Sequence, residues 1–186
     1  AFFAFSLVGE PSRRAIATFD STNANSKNLI RFDNQGMHFE NLLGTLGAGN
    51  FELEGEILSN ESVDGAFDLT WSGPTGDESL FAVLPSAVGD VLVAIELKDG
   101  VSTLPNGEVH FSGESWKELI VEFKGDISLE DVAMDVGIPL VEIQGSAHLE
   151  GEYSNDQLAA LDMSIAFEEM STLGRLITDV AGSLEF

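Results

Sequence analysis

No cysteine occurs among the 186 residues, which excludes a disulfide scaffold and any thiolate metal site. Basic residues are nearly as scarce: 8 Lys and Arg stand against 32 Asp and Glu, a formal net charge of -24. Nucleic acid is excluded as a partner, because holding a phosphate backbone takes clustered cations that release its counterions. Electrostatic docking on an anionic bilayer is disfavoured for the same reason. Four of the eight cations, Arg13, Arg14, Lys27 and Arg31, fall in the first 31 positions, so the remainder is more acidic still. No apolar run approaches the roughly 18 residues that a transmembrane helix needs. The opening AFFAFSLV is short, has no basic flank before it, and reads as a strand rather than a signal peptide.

What is present is apolar material in a period of two. Hydrophobic residues make up 44% of the chain, too many for a disordered acidic tail. Phe51 and Leu53 alternate with Glu52, Glu54 and Glu56, and Phe67, Leu69 and Trp71 alternate with Asp68 and Thr70. Val91, Val93, Ile95 and Leu97 follow the same rule, as do Leu119, Val121 and Phe123, and Leu161, Met163, Ile165 and Phe167. Such alternation marks strands with one buried face. About a dozen strands are expected, separated by Gly, Asn, Asp and Pro turns. The predicted fold is mainly β: an elongated, curved, largely antiparallel sheet of repeats with one or two short helices. The helix candidates are DESLFAVLPSAVGD (77–90), interrupted by Pro85, SNDQLAAL (154–161) and STLGRLITDV (171–180).

A longer repeat overlies the alternation. GNFELEGE (Gly49–Glu56) returns as GEVHFSGE (Gly107–Glu114), as GSAHLEGE (Gly145–Glu152), and truncated as GSLEF (Gly182–Phe186). The shared pattern is Gly-x-Φ-x-Φ-x-Gly-Glu, where Φ is apolar, and its starts are 58, 38 and 37 residues apart. Intervals of this size imply a supersecondary unit that buries its face only by stacking on neighbours. Glycines at a strand's start or end would permit a tight turn or a bulge, and pairs of them on the inward face would let the sheet curl sharply.

No catalytic constellation accompanies this pattern. G-x-S-x-G, H-E-x-x-H, a Walker loop and a helix-opening G-x-G-x-x-G are all missing. GTLGAG (Gly44–Gly49) leads into a strand and reads as a turn. His110 and His148 occupy one repeat position, where Glu52 and Glu185 stand in the other copies, which marks a polar surface site. DSTNAN after Phe19 lacks the glycine and the bidentate glutamate of a calcium loop, Arg31 standing at its twelfth position. The expectation is a non-enzyme without metal or cofactor.

Leu29 to Ile57, LIRFDNQGMHFENLLGTLGAGNFELEGEI, resembles a pattern of the AsmA-like and translocation-and-assembly-module family of bacterial envelope proteins. The matching positions are Asn41, Leu42, Gly44, Leu46, Gly47, Gly49, Phe51, Leu53 and Gly55, and Gly137–Tyr153 has a similar character. AGSLEF at the end looks like the opening of another such unit, with Phe186 answering Phe32. The resemblance implies a periplasmic, membrane-tethered bridge-like lipid-transfer protein with roles in outer-membrane biogenesis or homeostasis. Its sheet bends into a groove that shelters the acyl chains of phospholipid or another lipid. On that reading both ends are cuts in a longer chain. Residues 1–28 would be a strand plus mobile loop from a preceding unit, 29–180 the groove segment, and 181–186 the start of a following repeat. Flanking repeats of the same chain would be partners, and membrane contact would come only through other parts of it.

The groove candidates are Phe51, Leu53, Phe67, Leu69, Trp71, Val93, Ile95, Val109, Phe111, Val121, Phe123, Leu149, Ile165 and Phe167. Two readings stay open for them: an open lipid-bearing face, or the closed core of a structural or adhesive β-repeat module without ligand.

Overall fold

The computed structural model describes residues 2–5, 15–19, 29–59, 62–81, 93–115, 118–154 and 157–185. Eleven strands account for most of them: β1 (Phe2–Phe5), β2 (Ala15–Phe19), β3 (Leu29–Phe32), β4 (Gly36–Leu46), β5 (Gly49–Ser59) and β6 (Val63–Pro74) come first. After a short helix, α1 (Glu78–Phe81), follow β7 (Val101–Gly113), β8 (Ile120–Asp135), β9 (Pro139–Ser154), β10 (Gln157–Thr172) and β11 (Arg175–Glu185). All belong to one sheet, ordered β1-β2-β4-β5-β6-β7-β8-β9-β10-β11, with β3 pairing the other end of β4 beside β2. Every strand pairing is antiparallel. The mainly β, antiparallel architecture with minimal helix is what the alternation implies. The sheet is open and uncurled, so the groove of the resemblance becomes a broad face here.

The meander explains the repeat. The Gly-x-Φ-x-Φ-x-Gly motifs fall on β5, β7, β9 and β11, so the repeating unit is a two-strand hairpin. The interval of 58 exceeds 38 and 37 because the stretch between β6 and β7, residues 75–100, is inserted within one unit.

Two helix candidates are strands instead. Gln157–Leu161 opens β10, where pairing to β9 overrides local helical preference. In STLGRLITDV, Leu173 and Gly174 both take left-handed conformations (φ 48° and 73°) and close a two-residue hairpin between Thr172 and Arg175. Only the start of the third candidate, α1, is helical among the described residues. The strand expected from Val91 to Leu97 also fails: 93–94 form a helical turn, 95–96 a turn, and Lys98 joins the sheet by one bridge to Ala133. Left-handed Glu96, Asp99 and Gly100 break the extended run there. Of residues 1–28, expected as a strand plus mobile loop, 2–5 and 15–19 are strands and the others lie outside the described residues, as does Phe186; β11 itself runs through position 181 without interruption.

Alternation breaks at a set of bulges. Asn41 in β4, Asp131 in β8, Glu142 in β9 and Asp179 in β11 all have positive φ, between 46° and 56°. Each stands just before an apolar residue and two after another: Phe39 and Leu42, Leu129 and Val132, Leu140 and Ile143, Ile177 and Val180. The extra residue lets two apolar side chains three apart point to the same face. Phe167 and Met170 in β10 flank a register shift with the same result. On β8, β9 and β10 these irregularities sit side by side, and the cluster of Val132, Leu140, Ile143, Phe167 and Met170 gathers around them, capped by Leu97.

Candidate functional site: the apolar sheet face

Cross-strand register assigns every paired side chain to a face. Phe51 pairs Trp71, Leu53 pairs Leu69, and Gly55 pairs Phe67. Phe67 pairs Val109, Gly65 pairs Phe111, and these in turn pair Phe123 and Val121. Gly125 carries the same face to Leu149, and Ala147 and Gly145 carry it to Ile165 and Phe167. Twelve of the fourteen candidates therefore share one face of one sheet. Val93 and Ile95 do not: both lie off the strands, and Val93 is 60% exposed.

The same face also carries large residues that period-two reasoning passed over. Phe39 and Leu42 pack with Met37, Phe51, Leu53, Ile57 and Phe67 in a second cluster. Tyr153 is buried in the row Ile57, Gly65, Phe111, Val121, Tyr153. Phe39 meets Phe67 edge-on at 5.4 Å between centroids, and Phe67 meets Phe111 at 5.6 Å. Such ring pairs add about 0.5–1.5 kcal/mol beyond the area they bury.

Several glycines of this face, Gly49 and Gly151 of the motif among them, act as sockets. A Cβ on Gly49 would stand 2.6 Å from the Trp71 indole nitrogen, and one on Gly151 2.6 Å from the Phe123 ring. At Gly65 it would run into the Phe111 ring, and at Gly125 into Leu104. Large side chains thus lie down over the bare backbone of a neighbouring strand, which is how a single layer buries Trp71 to 5% and Phe111 to 7% exposure. Most of the remaining face, including Phe51, Leu69, Val109, Phe123 and Leu149, is only half-buried. The Trp71 indole N–H and the Thr75 hydroxyl are buried with no hydrogen-bond partner.

The opposite face is a lattice of carboxylates. Glu54, Asp68, Glu108, Lys124, Glu150, Asp162 and Glu185 form one cross-strand row with a single cation. Lys124 pairs with Glu108 at 2.9 Å; that hydrogen bond, the Glu108 charge and the more distant Glu150 hold its ammonium above the usual lysine value against slight desolvation. The three histidines stand on this polar side, each beside two carboxylates: His38 by Asp33 and Glu56, His110 by Asp64 and Glu122, His148 by Asp126 and Glu150. Asp33 also accepts the backbone N–H groups of Gln35 and Gly36. The Gln35 amide holds its carboxyl below the ordinary value against desolvation, helped by Gly36 and His38.

At one sheet end, Asp77 staples the β4–β5 turn. Its carboxylate accepts from the Ala48 amide at 2.6 Å and the Ser79 amide at 2.8 Å. Burial pushes this carboxyl upward, but the Ala48 and Ser79 amides and the Ser79 hydroxyl together hold it below its usual value.

Among the described residues no three His, Asp or Glu side chains are grouped to hold a metal ion, and no helix is long and apolar enough to cross a membrane. A shallow depression of about 270 Å³ lies along the bulges, lined by Thr103, Ser128, Glu130, Gln144 and Glu168 among others. No family model, curated protein or solved structure matches the chain.

Proposed function

We propose that this chain is a non-catalytic lipid-binding segment of an envelope protein, holding the acyl chains of phospholipid or a similar lipid against its apolar sheet face. The observation that carries this reading is the face itself. Twelve candidate side chains from six strands form one continuous apolar surface, and no second sheet packs over it among the described residues. Burying apolar surface is worth about 0.8 kcal/mol per CH₂, so even a partly sheltered chain of about a dozen carbons gains several kcal/mol. The acidic lattice opposite keeps that other face in water and leaves the apolar one as the only greasy side.

The resemblance of 29–57 to the AsmA-like and translocation-and-assembly-module proteins supports the same reading. It extends it to a periplasmic location, a role in outer-membrane biogenesis or homeostasis, and flanking repeats of the same chain as neighbours. Headgroup selectivity is expected to be weak, because the face presents almost no polar groups.

Native mass spectrometry and lipid extraction of the purified protein test the proposal. Copurifying phospholipid is expected, lost in Leu149→Asp while the circular-dichroism signature of sheet is retained. Lipid-free protein that still takes up none from vesicles would rule it out and favour a ligand-free structural module.

A further inference from the structure

The turns at the two ends of the strands differ in chemistry. Those at one end, 33–35, 60–62, 114–119 and 155–156, contain five Asp or Glu and one Lys. The three hairpin turns at the other end, 47–48, 136–138 and 173–174, contain no charged residue, and two of them present Val136, Ile138 and Leu173. All three side chains are exposed, Leu173 the most at 78%. Leu173 is also the exception in its backbone. Seven described residues other than glycine have positive φ; six are Asn, Asp or Glu, and the seventh is Leu173. Bulky side chains are outliers in that conformation, and Asn is the favoured residue before the Gly of such a turn. A leucine that is both strained and bare to water contributes nothing to the fold, which points to a contact outside it.

Polar groups hold the two apolar turns in place. Asp135 turns its carboxylate back to accept the Gly137 amide at 2.8 Å. The Thr172 hydroxyl donates to the Pro139 carbonyl at 2.8 Å, which fixes the turns side by side, two strand spacings or about 9.6 Å apart. Arg175 follows the second turn and is exposed. Among the described cations, Arg31, Lys98 and Lys124 each stand beside a carboxylate, and Arg175 does not. The turns lie beyond the last paired residues, Asp135 with Pro139 and Thr172 with Arg175. A further strand laid along β11, from this chain or another, would therefore leave them bare.

We infer that this end of the sheet inserts its turns into the interfacial zone of a phospholipid bilayer. Val136, Ile138 and Leu173 reach the acyl boundary, and Arg175 stands at the level of the phosphates. A fluid surface receives short, separate apolar projections without shaped pockets, whereas a protein partner would need a socket for each. The formal charge of -24 directs the contact to zwitterionic rather than anionic lipid. The contact concerns the turns and not the sheet face, so it stands or falls independently of lipid held on that face.

The full 186-residue chain should co-float with phosphatidylcholine vesicles. A triple variant, Val136→Thr, Ile138→Thr and Leu173→Asn, should bind them about tenfold or more weakly. Its melting temperature should match or exceed that of the wild type, because the changed residues are exposed and Asn suits the turn. The chain has no cysteine, so Leu173→Cys and Asn34→Cys each accept a single environment-sensitive dye. Vesicles should shift the emission to the blue at position 173 and leave it unchanged at position 34, in a turn of the acidic end. The inference is overturned if the chain does not bind, if the triple variant binds like wild type, or if both dyes respond alike. Copurified lipid in a chain that ignores vesicles would overturn it and leave the lipid-bearing face standing. Self-association without lipid that the triple variant abolishes would equally overturn it, by assigning the turns to a second copy.

Discussion

The ring of Phe111 occupies the space that a side chain on Gly65, its direct cross-strand partner, would need. Glycine is normally a poor strand residue, because it packs nothing and loses the most backbone freedom. Here the missing side chain is what allows a single-layered sheet to bury an aromatic ring. Phe67 packs beside Phe111 at 5.6 Å, so the arrangement extends sideways as well as across.

Gly65→Val should therefore destabilise the protein by about 1–3 kcal/mol, the usual range for overpacking a filled site. Phe111→Ala should cost about 3 kcal/mol as a large-to-small change. The double variant should be less destabilised than the two effects summed, because the valine fills the space vacated by the ring. Urea denaturation of the four proteins measures this, and strict additivity would show that ring and glycine do not interact.

Asp77→Ala should cost about 2 kcal/mol at neutral pH, since the Ala48 and Ser79 amides lose a charged acceptor. The folded carboxyl is depressed below its unfolded value, so its contribution is present above roughly pH 4 and is lost as pH falls through the folded pKa. The stability gap between variant and wild type should hold from pH 6 to 8 and shrink below about pH 4. A gap constant down to pH 2 would mean that the carboxylate charge is irrelevant to the staple.

Added salt should stabilise this protein. Like charges facing each other across strands destabilise a sheet, and the row containing Lys124 has six carboxylates to one cation. The melting temperature should rise between about 10 mM and 1 M NaCl as the screening length falls from about 30 to 3 Å. Lys124→Gln should melt lower than wild type at low salt, and the difference should close at high salt. A wild-type melting curve indifferent to salt would contradict a strained acidic face.

The two faces should respond oppositely to one kind of change. Leu149→Asp, on the apolar side, should abolish retention of a fluorescent fatty-acid analogue. Asp162→Leu, on the carboxylate row, should leave retention unchanged and raise stability slightly. Equal loss in both variants would place the probe somewhere other than the apolar face.

How much of this was legible in the sequence depended on whether a strand kept strict alternation. Phe51 and Leu53 in β5, Phe67 to Trp71 in β6 and Val121 and Phe123 in β8 do so, and their shared face could be read directly. Phe39 and Leu42, or Leu140 and Ile143, are three apart and looked unrelated until left-handed Asn41 and Glu142 brought them to the same side. An apolar residue, any residue, an Asn, Asp or Glu, then a second apolar residue is the signal that would have found them. The glycine repeat was visible, but its purpose was not. A socket is defined by the side chain lying in it, and that side chain comes from another strand, as Phe123 does over Gly151.

The two-strand repeat also sets a ruler. Neighbouring strands lie about 4.8 Å apart, so each hairpin of about 38 residues advances the sheet by about 9.6 Å. Because β5, β7, β9 and β11 each carry the same motif, reach can be lengthened or shortened in whole increments without altering the interlocking of the units that remain.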